Sequence, residues 1–459
     1  MRAGWALLRR RDFRLLWTGG LISETGDWFL LIGLPVWVLE LTGSSLVTST
    51  VFLVGLLPSL VLGPLAGVLV DRWDRRRTLV VVSLAQAAFL LPLLTVSGRD
   101  RLWVVYLVMA VEAALAQLND PARNALVPAL VARHDLVGAN ALIALNGNLA
   151  RLVGSPLGGV LVEVAGLPGL VVGDAASFLL GAALLALVRP SPKPSTPAVA
   201  PAPAPGPAPA LEPALAVPGP PEGERRRIRS RGRRVVHSPR PGRGVLEEWV
   251  DGLRVVLGDR ELRWGLVVDG LAAIAQGIFM VLFVLFVARE LGGDGAEVGL
   301  LRGVQAVGGL AGGALVVGLA RRLEPGRLLG TSLLVFGLIS LAIWNGPALT
   351  TAGWLYIVLF MAAGIPGIGF LTGLTALVQE RTPDAYLGRA LATFLGSFNG
   401  LMALGMLLAG LLGDAVGVVP VLNGQAVLYL LTGLLALATL GRARLGYPWA
   451  EKRARMPLA

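Results

Sequence analysis

The amino-acid sequence predicts an all-α integral membrane protein that crosses the bilayer about twelve times, and three observations carry that prediction. Hydrophobic residues make up 55% of the 459 and charged residues 15%, whereas a soluble domain carries about 25% charged. The mean hydropathy is +0.71, more apolar sequence than a buried core needs and what a set of bilayer-spanning helices requires. Apolar runs of about 20 residues recur along the chain, and arginines gather in every second gap between them.

The spans fall at about 15–39, 46–69, 78–97, 102–121, 139–163 and 168–188, then, after a polar gap, at 263–288, 297–319, 328–345, 353–377, 389–412 and 418–440. The opening MRAGWALLRRRDFRLLW has the basic patch of a signal peptide. Its apolar run is too long and lacks a small-residue cleavage site, so it is expected to stay as the first span. Arg9, Arg10 and Arg11 precede that span. Arg72, Arg75, Arg76 and Arg77 follow the second, Arg133 the fourth, Arg321, Arg322 and Arg327 the eighth, and Arg381 the tenth. Arg99, Arg101 and Arg289 are the exceptions in the alternate loops. Positive-inside bias therefore places both termini in the cytoplasm, and an even span count agrees.

The gap divides the chain. The expected units are a six-helix bundle at 1–189, a cytoplasmic linker at 190–245, a second six-helix bundle at 246–445 and a tail at 446–459. SPKPSTPAVAPAPAPGPAPALEP is Pro/Ala-rich and reads as extended and disordered. ERRRIRSRGRRVVHSPRPGRG is an arginine cluster, expected to rest on anionic lipid headgroups as an orientation signal. The net charge of +11 is not gathered on a folded basic domain, so no nucleic-acid partner is expected. Leu246, Trp249, Val250, Leu253, Val256 and Leu257 recur at helical spacing opposite Glu247, Glu248 and Asp251, the pattern of an interfacial helix.

Several chemistries are excluded. With no cysteine there is no disulfide or thiolate metal site. The two histidines, His134 and His237, lie in polar segments. No nucleophile-and-base constellation and no phosphate-cradling Gly-Lys loop is present. The chain is expected to be neither an enzyme nor a holder of cofactor or metal, and its energy source is expected to be an ion gradient.

The loop GVLVDRWDRRRTL, Gly67 to Leu79, resembles the signature loop of the major facilitator superfamily: Gly67, Leu69, Asp71, Arg72, Arg75 and Arg76 match, and Asp74 stands where that family prefers glycine. It falls between the second and third spans, as it should, and GLARRLEPGRLL between the eighth and ninth resembles a degenerate second copy. RDFRLLWTGGLISETGDW, NDPARNALVPALV, ANALIALNGNLARLVGSPLGG and GDAASF are similar to the macrolide-efflux and enterobactin-exporter branch, and the resemblance covers all but the linker. It implies two six-helix bundles of inverted three-helix repeats with substrate bound between them. It also implies that Asp71 latches the bundles on the cytoplasmic face with Asp120, Arg123 and the start of the eleventh helix. Carboxylates favour helix N-termini and cations C-termini, which suits such a latch. In the fifth span Pro156, Gly158 and Gly159 match part of an exporter motif: either a seam that favours one facing of the transporter or ordinary close packing.

ISETGDWFLLIG places Glu24 and Asp27 at i,i+3, on one face of the first span. An ionised group at mid-bilayer costs at least about 2.5–3.5 kcal/mol, so it persists where it lines a cavity or has a partner. Glu112, Arg151, Asp174 and Asp269 lie in the fourth, fifth, sixth and seventh spans. In the resembled fold the first, fourth and seventh helices line the cavity and the fifth packs beside the first. Glu24, Asp27, Glu112 and Asp269 are therefore expected at a proton-coupling site, with Arg151 as partner of Glu24 or Asp27, and Asp174 is expected to pack structurally. A static buried ion pair remains the alternative. The expected function is a proton-coupled exporter of small amphipathic molecules (drug, macrolide-like or siderophore-like) in the bacterial inner membrane, most simply as a monomer. An importer or lysolipid mover on the same fold, or a membrane sensor, is the alternative.

Overall fold

The computed structural model describes residues 6–189, 245–320, 322–383 and 386–441. The expected linker (but for residue 245), the tail, and the side chains of Gly67 and Asp71 lie outside the described residues. In the first half the helices are α1 (Arg11–Thr42), α2 (Ser45–Asp71), α3 (Arg75–Leu90), α4 (Leu102–Ala116), α5 (Asn119–Leu130) and α6 (Leu136–Ala186). The second half has α7 (Val245–Gly258), α8 (Arg260–Glu290), α9 (Gly295–Ala320), α10 (Pro325–Asn345), α11 (Gly353–Arg381), α12 (Leu387–Ala415) and α13 (Val418–Thr439).

Among the described residues no strand occurs, and ten helices are long and apolar enough to cross a membrane. One of these, α6, is 51 residues long and contains two spans. Gly166 breaks it with φ 61° and ψ −158°, a conformation glycine reaches without steric cost, and Pro168 follows at the start of the second arm. The 26-residue α9 completes the twelve crossings. Large apolar side chains such as Val61, Trp103, Leu338 and Trp354 are more than half exposed on the outer surface, as a lipid-facing surface requires.

Short-range chemistry sets the helix ends. Gly43 closes α1 at φ 68° and Ser44 caps α2. Asp259 caps α8 by accepting from Glu261 N at 2.9 Å and Leu262 N at 3.0 Å. Asp74 accepts from Arg77 N at 2.8 Å and caps α3. Its φ of −67° needs no glycine, so the departure from the family pattern replaces a flexible turn residue by a helix cap.

The three arginines that break the charge pattern also have local work. Arg99 donates to Leu41 O at 3.0 Å and Thr42 O at 3.2 Å, Arg289 to Gly43 O at 2.6 Å, and Arg101 to Thr95 O at 2.7 Å. Arg99 and Arg289 are thus cations at the C-terminal end of α1, where exposed carbonyls favour them.

The two copies of the arginine loop make equivalent contacts. Arg76, opening α3, donates to Leu185 O at 3.3 Å and to Ala186 O, the last carbonyls of α6. Arg327, opening α10, donates to Gly441 O at 2.9 Å, just past α13. Each half therefore ties the start of its third span to the end of its sixth, as a duplicated architecture predicts.

Within the first half α1 packs along α6; in the second, α8 packs on α12 and α10 on α13. The halves meet through α6 against α9 and α2 against α12. The second half holds an aromatic cluster, with Phe279, Phe283, Phe286, Trp344, Tyr356 and Phe360 interlocked edge-on and tilted, an arrangement their quadrupoles favour.

Candidate functional site

A cavity of about 1530 Å³ opens between the halves on the face that carries the arginine loops. α1, α2, α5 and α6 supply most of its wall, and α12 supplies the second-half side through residues between Gly388 and Asn399. On the opposite face the halves are shut. Asp414, at the end of α12, accepts from Ser44 Oγ at 2.8 Å, Ser45 N at 2.9 Å and Leu46 N at 3.1 Å. A carboxylate from one half thus caps the first helical N–H groups of α2 in the other, where the helix dipole attracts it. Nothing in the sequence pattern singled out Asp414.

Between cavity and lock, α6 and α9 touch backbone to backbone. A Cβ on Gly299 would strike Ser155 O, one on Gly159 would strike Gly295 O, and one on Gly303 would meet Pro156 at 3.0 Å. Gly158 faces the other way, within 2.7 Å of the Phe29 Cα of α1 by the same measure. The residues of the expected fifth-helix motif thus join three helices, and only glycine fits at such separations.

Glu24 and Asp27 both line the cavity from α1, and Asp27 is open to it. Glu24 is bonded by Arg123, whose other terminal nitrogen holds Asp120. Arg123 and Glu24 are 16% and 21% exposed, while Asp120 is 75% exposed. Coulomb attraction is screened less in the half-buried pair than in the open one, so Glu24 is the stronger partner. Arg123, expected in the cytoplasmic latch, is therefore the counter-ion of the α1 acid. Arg72 is exposed at the end of α2 and Arg75 half-buried at the start of α3; neither reaches the cavity wall.

The expected partnership of Arg151 is corrected by its position. Its guanidinium bonds Gln305 Oε1 and donates to Arg302 O at 3.3 Å, both on α9, and lies 5.7 Å from the Trp28 ring centre. It sits one helical turn beyond Gly147, which packs beside Glu24, and so points past the acids into the seam.

The remaining acids are buried away from the cavity wall. Glu112 is 7% exposed and its Oε1 has no hydrogen-bond partner among the described residues. Asp269 is 1% exposed on α8, with Oδ2 likewise unpartnered. Asp174 is fully buried, accepts from Ser177 Oγ at 3.2 Å, and leaves Oδ2 unpartnered. A Cβ on Gly26 would collide with both Asp174 and Ser177, so Asp174 stands directly behind the backbone that carries Asp27. Arg302, 7% exposed on α9, was missed by sequence reasoning. It is an arginine inside an apolar run, the same signal that marked Glu24.

The comparisons with known proteins agree with this architecture. The transmembrane secretion effector family matches residues 2–200 and 228–445. Macrolide efflux protein A of Streptococcus pyogenes is 26% identical over 88% of this chain and 90% of its own. The multidrug efflux pump Tap of Mycobacterium tuberculosis is 27% identical over 91% and 90%. Among solved structures, a bacterial homologue of the iron transporter ferroportin in its inward-facing state superposes with a TM-score of 0.66 at 18% identity, covering 94% of this chain and 99% of that one; it is similar in fold. The chain, with its two packed halves and one-sided cavity, belongs to the transmembrane secretion effector family of the major facilitator superfamily and is a multi-pass transporter of the bacterial plasma membrane.

Proposed function

We propose that this transporter is a proton-coupled exporter of small amphipathic molecules, working by alternating access. The observation that carries the reading is the 1530 Å³ cavity, open on one face and lined by Glu24, Asp27 and Arg123, with the opposite face shut by Asp414 and the α6–α9 seam. Charge bias in the loops makes the open face cytoplasmic, so both termini lie inside and the cavity loads from the cytoplasm. Substrate entering it meets apolar side chains such as Leu16, Leu60 and Ile143 together with the amides of Gln117 and Asn140 and the carboxylates of Glu24 and Asp27. Relatives named for macrolide and multidrug efflux support export and an amphipathic substrate.

Asp27 takes the coupling role. It is the α1 acid of this site that no arginine bonds among the described residues, and a carboxyl between water and an apolar wall can exchange a proton as the site changes face. Glu112 and Asp269 stand behind the wall as further proton-accepting groups, and Asp174, bonded by Ser177, packs structurally. Pro156 and Gly159 close the outer side while Gly158 fixes α6 against α1, and Asp71, Arg72, Arg75, Arg76 and Asp120 are the latch for the inner side. Anionic lipid around the arginine-rich segment keeps the orientation, and one chain suffices as the working unit.

Inverted membrane vesicles test the reading. Accumulation of a fluorescent amphipathic compound under an imposed pH gradient, and its loss in Asp27→Asn, is the expected result. Accumulation that ignores the pH gradient would remove proton coupling, and no accumulation of any compound in a drug and siderophore panel would remove export of this class.

A further inference from the structure

Two arginines, one from each half of the molecule, meet in the α6–α9 seam, one helical turn beyond the cavity wall at Gly147. Arg151 from α6 and Arg302 from α9 both donate to the same acceptor, Gln305 Oε1, Arg302 from 3.2 Å. Their other partners are uncharged: Arg302 O for Arg151, and the Met280 sulfur at 3.3 Å for Arg302. The Trp28 ring underlies Arg151 at 5.7 Å, and the Phe279 ring underlies Arg302 at 5.1 Å. Among the described residues no carboxylate lies within 4.0 Å of either guanidinium.

This arrangement is unfavourable as a purely structural device. Two like charges repel, burial strips their hydration, and an amide oxygen shared between them neutralises neither. A membrane protein keeps an ionisable group inside the bilayer where it serves a pathway or a ligand. Seam packing alone would be met by apolar residues, because the glycine contacts at Gly299 and Gly303 already join the helices. The acids that could have answered these charges are engaged or remote: Glu24 is held by Arg123, and Asp27 opens to the cavity.

The geometry points to an anion subsite: Arg151 and Arg302 together bind a carboxylate or phosphate group carried by the transported amphipath. Each guanidinium offers five N–H donors in a planar fork and spends two of them on the contacts above, so donors remain for a two-oxygen ligand. The ring faces and Met280 form an apolar collar for the adjoining carbon chain. Because the arginines come from opposite halves, an anion there bridges the bundles within the seam, one turn beyond the cavity wall. The inference rests on the transporter reading only for the statement that the ligand is cargo; the binding itself needs neither proton coupling nor export.

Equilibrium binding of radiolabelled dodecanoate tests it, using the full chain in phosphatidylcholine nanodiscs with excess unlabelled compound to define displaceable binding. Dodecanoate and dodecyl phosphate should compete, and dodecan-1-ol and dodecylamine should not. Arg302→Gln and Arg151→Gln should each raise the Kd about tenfold or more, while Arg302→Lys, which keeps the charge and loses the fork, should fall between. Gel filtration and helical circular dichroism confirm that each variant is folded, and the lysine variant keeps the test decisive if a glutamine variant misfolds. Nanodiscs containing phosphatidylglycerol separate the two sources of anion: unchanged dodecanoate binding assigns the subsite to soluble cargo, and lost binding overturns that in favour of a lipid phosphate. No displaceable dodecanoate binding, equal competition by dodecan-1-ol, or unchanged affinity in every arginine variant would overturn the subsite. Each of these results is independent of whether vesicles respond to a pH gradient.

Discussion

Arg123 of α5 bonds Glu24 of α1, and with its other terminal nitrogen it holds Asp120 one turn back on its own helix. One cation therefore joins an acid of the cavity to an acid near the membrane surface. Its removal has a calculable effect. Glu24 would be left in the cavity wall without a counter-ion, a loss of about 1–3 kcal/mol after discounting the 3–5 kcal/mol typical of a fully buried pair. Loss of the exposed Asp120 contact adds little. Arg123→Gln is expected to lower the melting temperature of the purified protein, and the double variant Glu24→Gln/Arg123→Gln to recover most of the loss. An additive double variant would mean that the pair is not coupled.

Asp27→Asn is expected to insert and accumulate normally. Arg151 is bonded to Gln305, not to Asp27, so the substitution strands no cation. Asparagine has nearly the same volume but cannot take up and release a proton in the working range. Downhill exchange of substrate should survive and pH-driven accumulation should vanish. Full pH-driven transport by the variant would remove Asp27 from the coupling step.

Asp414→Asn addresses the closed face. Asparagine can still cap but loses the charge–dipole attraction, about 0.3–1 kcal/mol, which corresponds to roughly a two- to fivefold shift in a two-state population. The cysteine-free sequence makes this measurable. Ser49 is fully buried beneath Gly410 in the shut seam, so Ser49→Cys should react slowly with a membrane-impermeant maleimide. Adding Asp414→Asn should speed that reaction several-fold. An unchanged rate would mean that the lock does not bias the two facings.

Gly299→Val should leave α9 helical yet prevent the seam from closing, because even a Cβ at 299 collides with Ser155 O. Transport is expected to fail with membrane abundance retained, and the Ser49→Cys reporter should react fast. The control Gly313→Val, at a position where a Cβ meets nothing within 4 Å, should transport normally.

Much of the fold was legible because bilayer thickness writes itself into the chain as apolar runs of a set length. A helix, expected from the spacing of Leu246 to Leu257, spans Val245–Gly258. The fourth span is less simple: the helix ends at Ala116, and the polar stretch from Asn119 turns into a further helix, α5, that brings Asp120 and Arg123 to the cavity. Hydropathy marked Glu24, Asp27 and Arg151 as groups in need of a reason. It did not reveal which groups they meet, because that depends on how α6 is rotated against α9, whose Gln305 lies 154 residues further along the chain. Arg302 was within reach of the same criterion. Asp414 was not, since a carboxylate at a helix end looks like an ordinary loop residue until the helix it caps is packed opposite.

The α6–α9 seam closes through main-chain atoms at Gly159, Gly295, Ser155 and Gly299, and none of these four residues lines the cavity. On the proposed function, the main-chain shutter and the cavity-lining side chains are consequently separable parts, with the Arg151–Arg302 pair in the seam beside them. Side chains between Ser23 and Asn399 that face the cavity can be exchanged to retune what is carried, and the shutter above them keeps its fit. Any change in the shutter itself acts on every cargo alike. For engineering, that divides the molecule into an adjustable receptacle and a fixed valve.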